Sequence, residues 1–196
     1  MKILLASQNQ DKLKETQSIL QGLSLKVLLP SQVGLSPDFD VAETGKTFKQ
    51  NAVIKAKAYG DKTKLLSLAD DSGLIIDYLN GQPGIHSARF AQGDFSKACQ
   101  KILKLLKNVP QEKRTARFIC TIALYNPQTK VVKTFTGKTQ GWIAFKPQGK
   151  GGFGYDPIYI SNDLNKTFAQ ASTKEKNKFS HRAQALKKLK NYLQKK

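Results

Sequence analysis

The stretch Lys2–Pro30, KILLASQNQDKLKETQSILQGLSLKVLLP, decides how the rest of the chain is read. Its first residues, Lys2–Ala6, form a short apolar run, which predicts a buried strand. Leu13, Ile19, Leu20 and Leu23 then recur at roughly helical spacing, with Gly22 near the end as a stop signal. "LKVLL" predicts a second strand, which Pro30 ends. Strand, helix and strand in succession make a β-α-β opening, so an α/β protein built on a sheet is expected.

Outward from that opening, residues 30–46 carry Pro, Gly, Ser and Asp and read as a loop. Thr47 and Gln50 have capping-box spacing. Phe48, Ala52, Ala56 and Tyr59 mark one face of the following helix, and Gly60 is expected to end it. "LLSLAD" predicts a strand, "DDSG" a turn and "LIIDYL" another strand. "GQPGIHSARFAQGD" reads as a long irregular loop, and residues 95–107 as a helix with Ala98, Ile102, Leu105 and Leu106 inward. "TARFICTIALY" and "KVVKTFTG" flank Asn126–Thr129 as a hairpin, "TQGWIAF" is a further strand, and a last helix runs from about Ser180 to Leu193. In that helix Phe179, Ala183, Leu186, Leu189 and Leu193 mark the buried stripe. No repeat or linker interrupts residues 1–196, so one domain is expected.

Composition narrows the function. Thirty-three Lys and Arg against 14 Asp and Glu give +19, which attracts polyanions or simply solvates the surface. Cys99 and Cys120 lie outside any CxxC pair and are expected to be buried thiols; His86 and His181 are too few for a histidine-rich metal site. No apolar run approaches the roughly 18 residues of a membrane span. The start, MKILLASQNQ, is too short and too soon polar for a signal peptide, so a soluble, cytoplasmic protein is expected.

Four polar or glycine-rich segments beside apolar ones are candidates for chemistry. Ser7–Lys12 joins a strand to a helix start, where free N–H groups and the helix dipole favour an anion; Asn9 equally reads as a plain helix cap. Asp70 and Asp71 repel each other and cost energy to desolvate, so the pair suits a divalent cation or an acidic turn. Neighbours in a strand point to opposite faces, so one carboxylate is expected to reach a metal. Glu43 is the best further oxygen donor. Gly151–Asp156, GGFGYD, places glycines around Phe153 and suits a loop lying against a flat ring, or a bulged turn with Phe153 in the core. No helix follows it at once, so the dinucleotide-fold match fails. Ser180–His181–Arg182 is either a helix cap or a set of cationic donors for base and phosphate.

Taken in order, ASQNQDKLKE, ETGKTFKQNAVIKA, LADDSGLIIDYLNGQPGIHSARF, GGFGYDPI and FAQASTKEKN with SHRAQAL resemble the inosine triphosphate pyrophosphatase family, from residue 6 to 186. These are the pyrophosphatases of non-standard purine nucleoside triphosphates. The resemblance implies a long mixed β-sheet with flanking helices, forming two lobes around a nucleotide-binding cleft. It implies a homodimer, Mg²⁺ dependence and hydrolysis of ITP, dITP and XTP to the monophosphate and pyrophosphate. By it, Ser7, Gln8, Asn9, Gln10, Asp11 and Lys12 grip the phosphates, and Asp71 binds metal and activates water. Glu43 is a second metal ligand, Ser72 touches substrate, and Phe153, Gly154, Tyr155, Asp156, Lys176, His181 and Arg182 frame the nucleotide. Two positions depart from the family: Gln8 stands where glycine is usual, and Ala42–Glu43 where paired glutamates are frequent.

Two rival readings stay in view. One is the same reaction on other modified nucleotides. The other is a basic nucleic-acid-binding domain without chemistry, which leaves Glu43, Asp70 and Asp71 unexplained because they would repel phosphate.

Overall fold

Ile3, Leu4 and Leu5 are almost wholly buried, and each such side chain contributes on the order of 2 kcal/mol to the folded state. They form β1 (Lys2–Leu5), the strand that opens the computed structural model, which describes residues 1–36 and 38–195. Next come α1 (Gln10–Leu20), β2 (Lys26–Leu28), α2 (Phe48–Thr63), β3 (Ser67–Ile76), α3 (Phe95–Leu105), β4 (Thr115–Tyr125) and β5 (Val132–Ile143). The chain ends with β6 (Tyr159–Ser161), β7 (Lys166–Thr167), α4 (Thr173–Phe179) and α5 (His181–Gln194). The sheet order is β2-β1-β3-β4-β5-β6-β7. β1 pairs in parallel with β2 and β3, whereas β6 is antiparallel to β5 and β7. This mixed α/β sheet and the β-α-β opening match the expectation from sequence.

The chain divides into two compact units. The first holds residues 1–71, Cys120–Gly137 and the segment from Gln184 onward. Its strands alternate between two cores, as pleating requires. Ile3, Leu5, Leu68 and Ile122 pack with Leu20, Leu186 and Leu189, on the side of α1 and α5. Leu4, Ala6, Ala69 and Ala123 pack with Ala52, Ala56 and Tyr59 of α2.

The second unit holds Ser72–Ile119 and Lys138–Ala183. Its core joins Leu74, Ile76, Ile102, Phe118, Tyr159 and Phe168. Arg114 is buried within it and lowered in pKa by that burial. Its guanidinium donates to the carbonyls of Leu106 (2.6 Å), Ile143 (2.7 Å) and Ala144 (2.7 Å), tying the end of α3 to the end of β5.

Several local expectations are corrected. Asp70–Gly73 is no turn: β3 runs unbroken through it, because every residue from Ser67 to Gly73 except Ser72 is buried in the sheet. "TQGWIAF" is no separate strand: β5 is continuous from Val132 to Ile143. Gly60 does not end α2 but lies within it; a Cβ there would meet Tyr125 at 2.6 Å and Ser67 Oγ at 2.8 Å, so close packing explains the glycine. Lys64, in the left-handed region, caps the helix instead. Gln50 accepts from the Lys46 N–H (2.7 Å) rather than completing a box with Thr47, whose hydroxyl still caps the helix. Leu105 is exposed, with Leu106 taking the core position at the helix end. Phe179 belongs to a separate helix, α4, that precedes α5. Pro37, inside the predicted loop, lies outside the described residues.

Candidate active site

In the first unit the pleat of β3 sends its two aspartates to opposite cores. Asp70 follows Leu68 toward α1, where Lys12 Nζ lies 3.0 Å from its Oδ1. Asp71 follows Ala69 toward α2, where Asn51 Nδ2 donates to its Oδ2 at 3.0 Å. The paired carboxylates are therefore separated by the strand itself, with Lys12 beside Asp70 and Asn51 beside Asp71.

Asn9 holds the loop before α1. Its Oδ1 accepts from the N–H groups of Asp11 (2.8 Å) and Lys12 (3.1 Å), and Ser7 Oγ accepts from the Asn9 N–H (3.1 Å). The capping reading of Asn9 is thus correct, and it places Lys12 in the first turn, facing β3. Gln8, Gln10 and Asp11 are exposed.

On α2, Lys55 Nζ lies 2.6 Å from Glu43 Oε1. Burial alone would lower the Lys55 pKa, but the carboxylates of Asp70, Glu43 and Asp71 outweigh it and raise the value. Burial pushes Asp71 up to about 6; the Asn51 hydrogen bond and the Lys55 charge pull against this, and the charges of Glu43 and Asp70 add to it. Glu43 and Asp70 thus both act electrostatically on Asp71, and all three carboxylates act on Lys55. No group of three or more His, Cys, Asp or Glu side chains is close enough to hold a metal alone among the described residues.

The second unit carries the other predicted residues. Asp156 Oδ2 receives the Phe153 N–H (2.9 Å) and Lys176 Nζ (2.7 Å), so this carboxylate clamps the glycine-rich loop. The Phe153 ring lies under two cations, with Lys176 Nζ 4.4 Å and Arg182 Cζ 5.4 Å from its centroid. Arg182 also donates to Ser72 Oγ at 3.1 Å, which brings Ser72, Phe153 and Arg182 together. His181 stacks on Phe118, ring centroids 4.5 Å apart and planes 9° from parallel. Tyr155 turns inward and donates its hydroxyl to the Ser87 carbonyl (2.7 Å), so its side chain belongs to the core. Cys99 and Cys120 are buried free thiols, as expected.

Asn51 and Lys55 had no assigned role in the sequence reading. Both lie in the quoted segment ETGKTFKQNAVIKA, and their spacing of four residues puts them on one helix face. That spacing was the available signal.

Comparison with known proteins bears on the same residues. The Ham1 family model matches residues 3–192, which include every candidate site residue. The chain belongs to the Ham1 family. A dITP/XTP pyrophosphatase of Bacillus subtilis is 44% identical over 193 residues, covering 97% of this chain and 96% of its own length. One from Halalkalibacterium halodurans is 45% identical over 198 residues, covering 97% of each. A HAM1 protein structure from Coxiella burnetii superposes with a TM-score of 0.90 at 40% identity, covering all of both chains. The Ham1 protein of Staphylococcus aureus gives 0.88 at 38%, covering 100% of this chain and 99% of its own. This Ham1 chain therefore has the fold and the family that its five motifs suggested. Among its described residues no helix is long and apolar enough to cross a membrane.

Proposed function

We propose that this chain is a Mg²⁺-dependent pyrophosphatase that hydrolyses dITP, ITP and XTP to the monophosphate and pyrophosphate. The observation that carries the reading is Asp71: a buried carboxyl at about 6, beside Glu43 and Lys55, on the strand residue before Ser72. A carboxylate that burial and neighbouring acids disfavour is stabilised by a divalent cation or a proton, which suits a metal ligand or a general base. The relatives' names as dITP/XTP pyrophosphatases support the substrate class.

The donor set fits a hard divalent cation. Mg²⁺ in nucleotide sites takes one or two carboxylates and completes its shell with water and phosphate oxygens, so Asp71 and Glu43 suffice without a third acid. Burial of Asp71 and its repulsion by Glu43 are both relieved by a nearby positive charge. Bound there, the metal would neutralise phosphate charge and acidify a water. In this reading Asp71 takes the proton of that water. Lys12 and Lys55 hold their carboxylates in place and meet phosphate charge. The N-terminus of α1 offers N–H groups to the phosphates.

On the second unit, Phe153 offers a ring face to the base, and Arg182 and His181 offer donors to the 6-keto oxygen of hypoxanthine or xanthine. Adenine presents an amino donor at that position, and a site built to donate rejects it by as much as ~10⁴-fold. Homodimerisation, which rests on the family resemblance, and a cytoplasmic location complete the proposal.

A nucleic-acid-binding role is disfavoured because the basic excess is shared between both units rather than gathered on one. The test is pyrophosphate release by the purified chain from dITP, XTP, ITP, GTP, ATP and dUTP, with Mg²⁺ and with chelator. Expected are kcat/KM values for dITP, ITP and XTP at least ~100-fold above those for ATP and GTP, all lost with chelator. Equal rates on all six, preference for dUTP, or tight salt-dependent DNA binding without hydrolysis would overturn it.

A further inference from the structure

Asn51 is 2% exposed and sits in the first turns of α2, where a polar side chain must find partners for both ends of its amide. Its Oδ1 accepts the Gly45 N–H at 2.8 Å, and its Nδ2 donates to Asp71 Oδ2 at 3.0 Å. The first bond fixes the second. A backbone N–H can only donate, so the oxygen end of the amide is turned to Gly45 and the nitrogen end to the carboxylate.

The surroundings leave the amide little freedom. A Cβ at Gly45 would come within 2.6 Å of Asn51 Oδ1, so the loop backbone lies directly on it. Gln50 Oε1 takes the next N–H, that of Lys46, at 2.7 Å. Two residues before Gly45, Glu43 reaches Lys55 one turn further along α2. The loop carrying Glu43 and the strand carrying Asp71 are thus both referenced to one side chain.

We infer that Asn51 is a positioning residue: its amide, locked by the Gly45 N–H, orients the Asp71 carboxylate and sets its register against the Glu43 loop. This deepens the pyrophosphatase reading and rests on it. A hydrogen bond to a charged partner, lost together with the register it enforces, is expected to cost about 10- to 100-fold in turnover. Lys12, which meets phosphate charge in this reading, is held by Asp70 rather than by Asn51, so KM should move little.

Three variants separate positioning from bulk stability. Asn51→Ala removes both bonds. Asn51→Asp keeps the acceptor for Gly45 but sets an oxygen against Asp71. Gly45→Ala leaves the amide present and displaces it. If Asn51 only anchors the loop, Asn51→Asp restores activity; if it orients Asp71, Asn51→Asp is as slow as Asn51→Ala. Expected for dITP with Mg²⁺ are kcat values roughly 30-fold down in Asn51→Ala and Asn51→Asp, KM within about 3-fold, and a smaller kcat loss in Gly45→Ala. Wild-type kcat in Asn51→Asp, or losses carried by KM, would overturn the inference.

A second readout needs no turnover and still decides if Asn51→Ala does not fold. The side-chain NH₂ of Asn51 in the wild-type chain should be protected from hydrogen exchange, and Asp71→Ala should abolish that protection. An unprotected wild-type NH₂, or protection unchanged in Asp71→Ala, rejects the inference. Failure of the wild type to release pyrophosphate from any nucleotide rejects the pyrophosphatase reading instead, and the exchange measurement then judges the Asn51–Asp71 link by itself.

Discussion

Asp71 of the first unit and Asp156 of the second are both buried carboxylates, 8% and 3% exposed, and the chain treats them in opposite ways. Asp156 receives an ammonium and a backbone N–H, so its charge is answered from within the unit. Asp71 receives a neutral amide from Asn51, stands near Glu43 and Asp70, and is pushed up to about 6. Lys55 on α2 pairs with Glu43, and its charge pulls the Asp71 value down against that push. Asp156 clamps a loop; Asp71, pushed up mainly by burial, is poised for a cation and a proton.

The largest expected effect breaks the comparison on the side of chemistry. Asp71→Asn keeps the shape and removes the proton acceptor, and turnover of dITP should fall by about 10³-fold or more, near 4 kcal/mol in the barrier. Steady-state kinetics on a variant with a wild-type circular dichroism spectrum check it. Rates within tenfold of wild type would make Asp71 a structural acid and shift the search for a base elsewhere.

This contrast was half legible in the sequence. The two aspartates, Glu43 and the glycine-rich loop stand out because acids are few and each lies beside apolar runs. The β-α-β opening is legible because it is local: a periodic helix between two apolar strands. What escaped has long-range causes. Asp-Asp-Ser-Gly has turn-forming composition, yet burial on both faces of a sheet overrides that preference and keeps β3 straight. Asn51 looks like any polar helix residue until β3 places Asp71 against it, 20 positions away. The binding of Asp156 to Lys176 across 20 residues was likewise not visible.

The next effect is on stability, on the other side of the comparison. Asp156→Asn takes the carboxylate charge from the Lys176 ammonium, itself only 6% exposed, and weakens the anchor on the Phe153 N–H. Breaking one partner of a buried pair costs about 3 kcal/mol. Urea unfolding of the variant should show that loss at an unchanged slope. The double variant Asp156→Asn with Lys176→Met should recover most of it, because the ammonium of the pair is then gone as well. Loss in the double variant equal to the single one would mean that the carboxylate, rather than the pair, holds the loop.

The smallest effect has the opposite sign and concerns Asp71 again, now without metal. Its folded pKa, about 6, lies above the ordinary carboxyl value of 3.8. The folded chain therefore holds this proton more tightly than the unfolded chain does. As pH rises from about 4 to about 6, the unfolded state ionises Asp71 first, and the folded state loses relative stability. Above pH 6 the cost is fully present; below pH 4 it is absent. For a shift of this size the cost is on the order of 2 kcal/mol once relaxation is allowed for. Asp71→Asn carries no such charge. In chelator-containing buffer the variant should be more stable than wild type by about that amount at pH 7.5, and the difference should vanish near pH 4. Paired urea titrations at the two pH values measure it directly. A variant no more stable than wild type at pH 7.5 would mean that Lys55 and Asn51 already compensate the carboxylate, which would make Asp71 resemble Asp156 and remove the contrast.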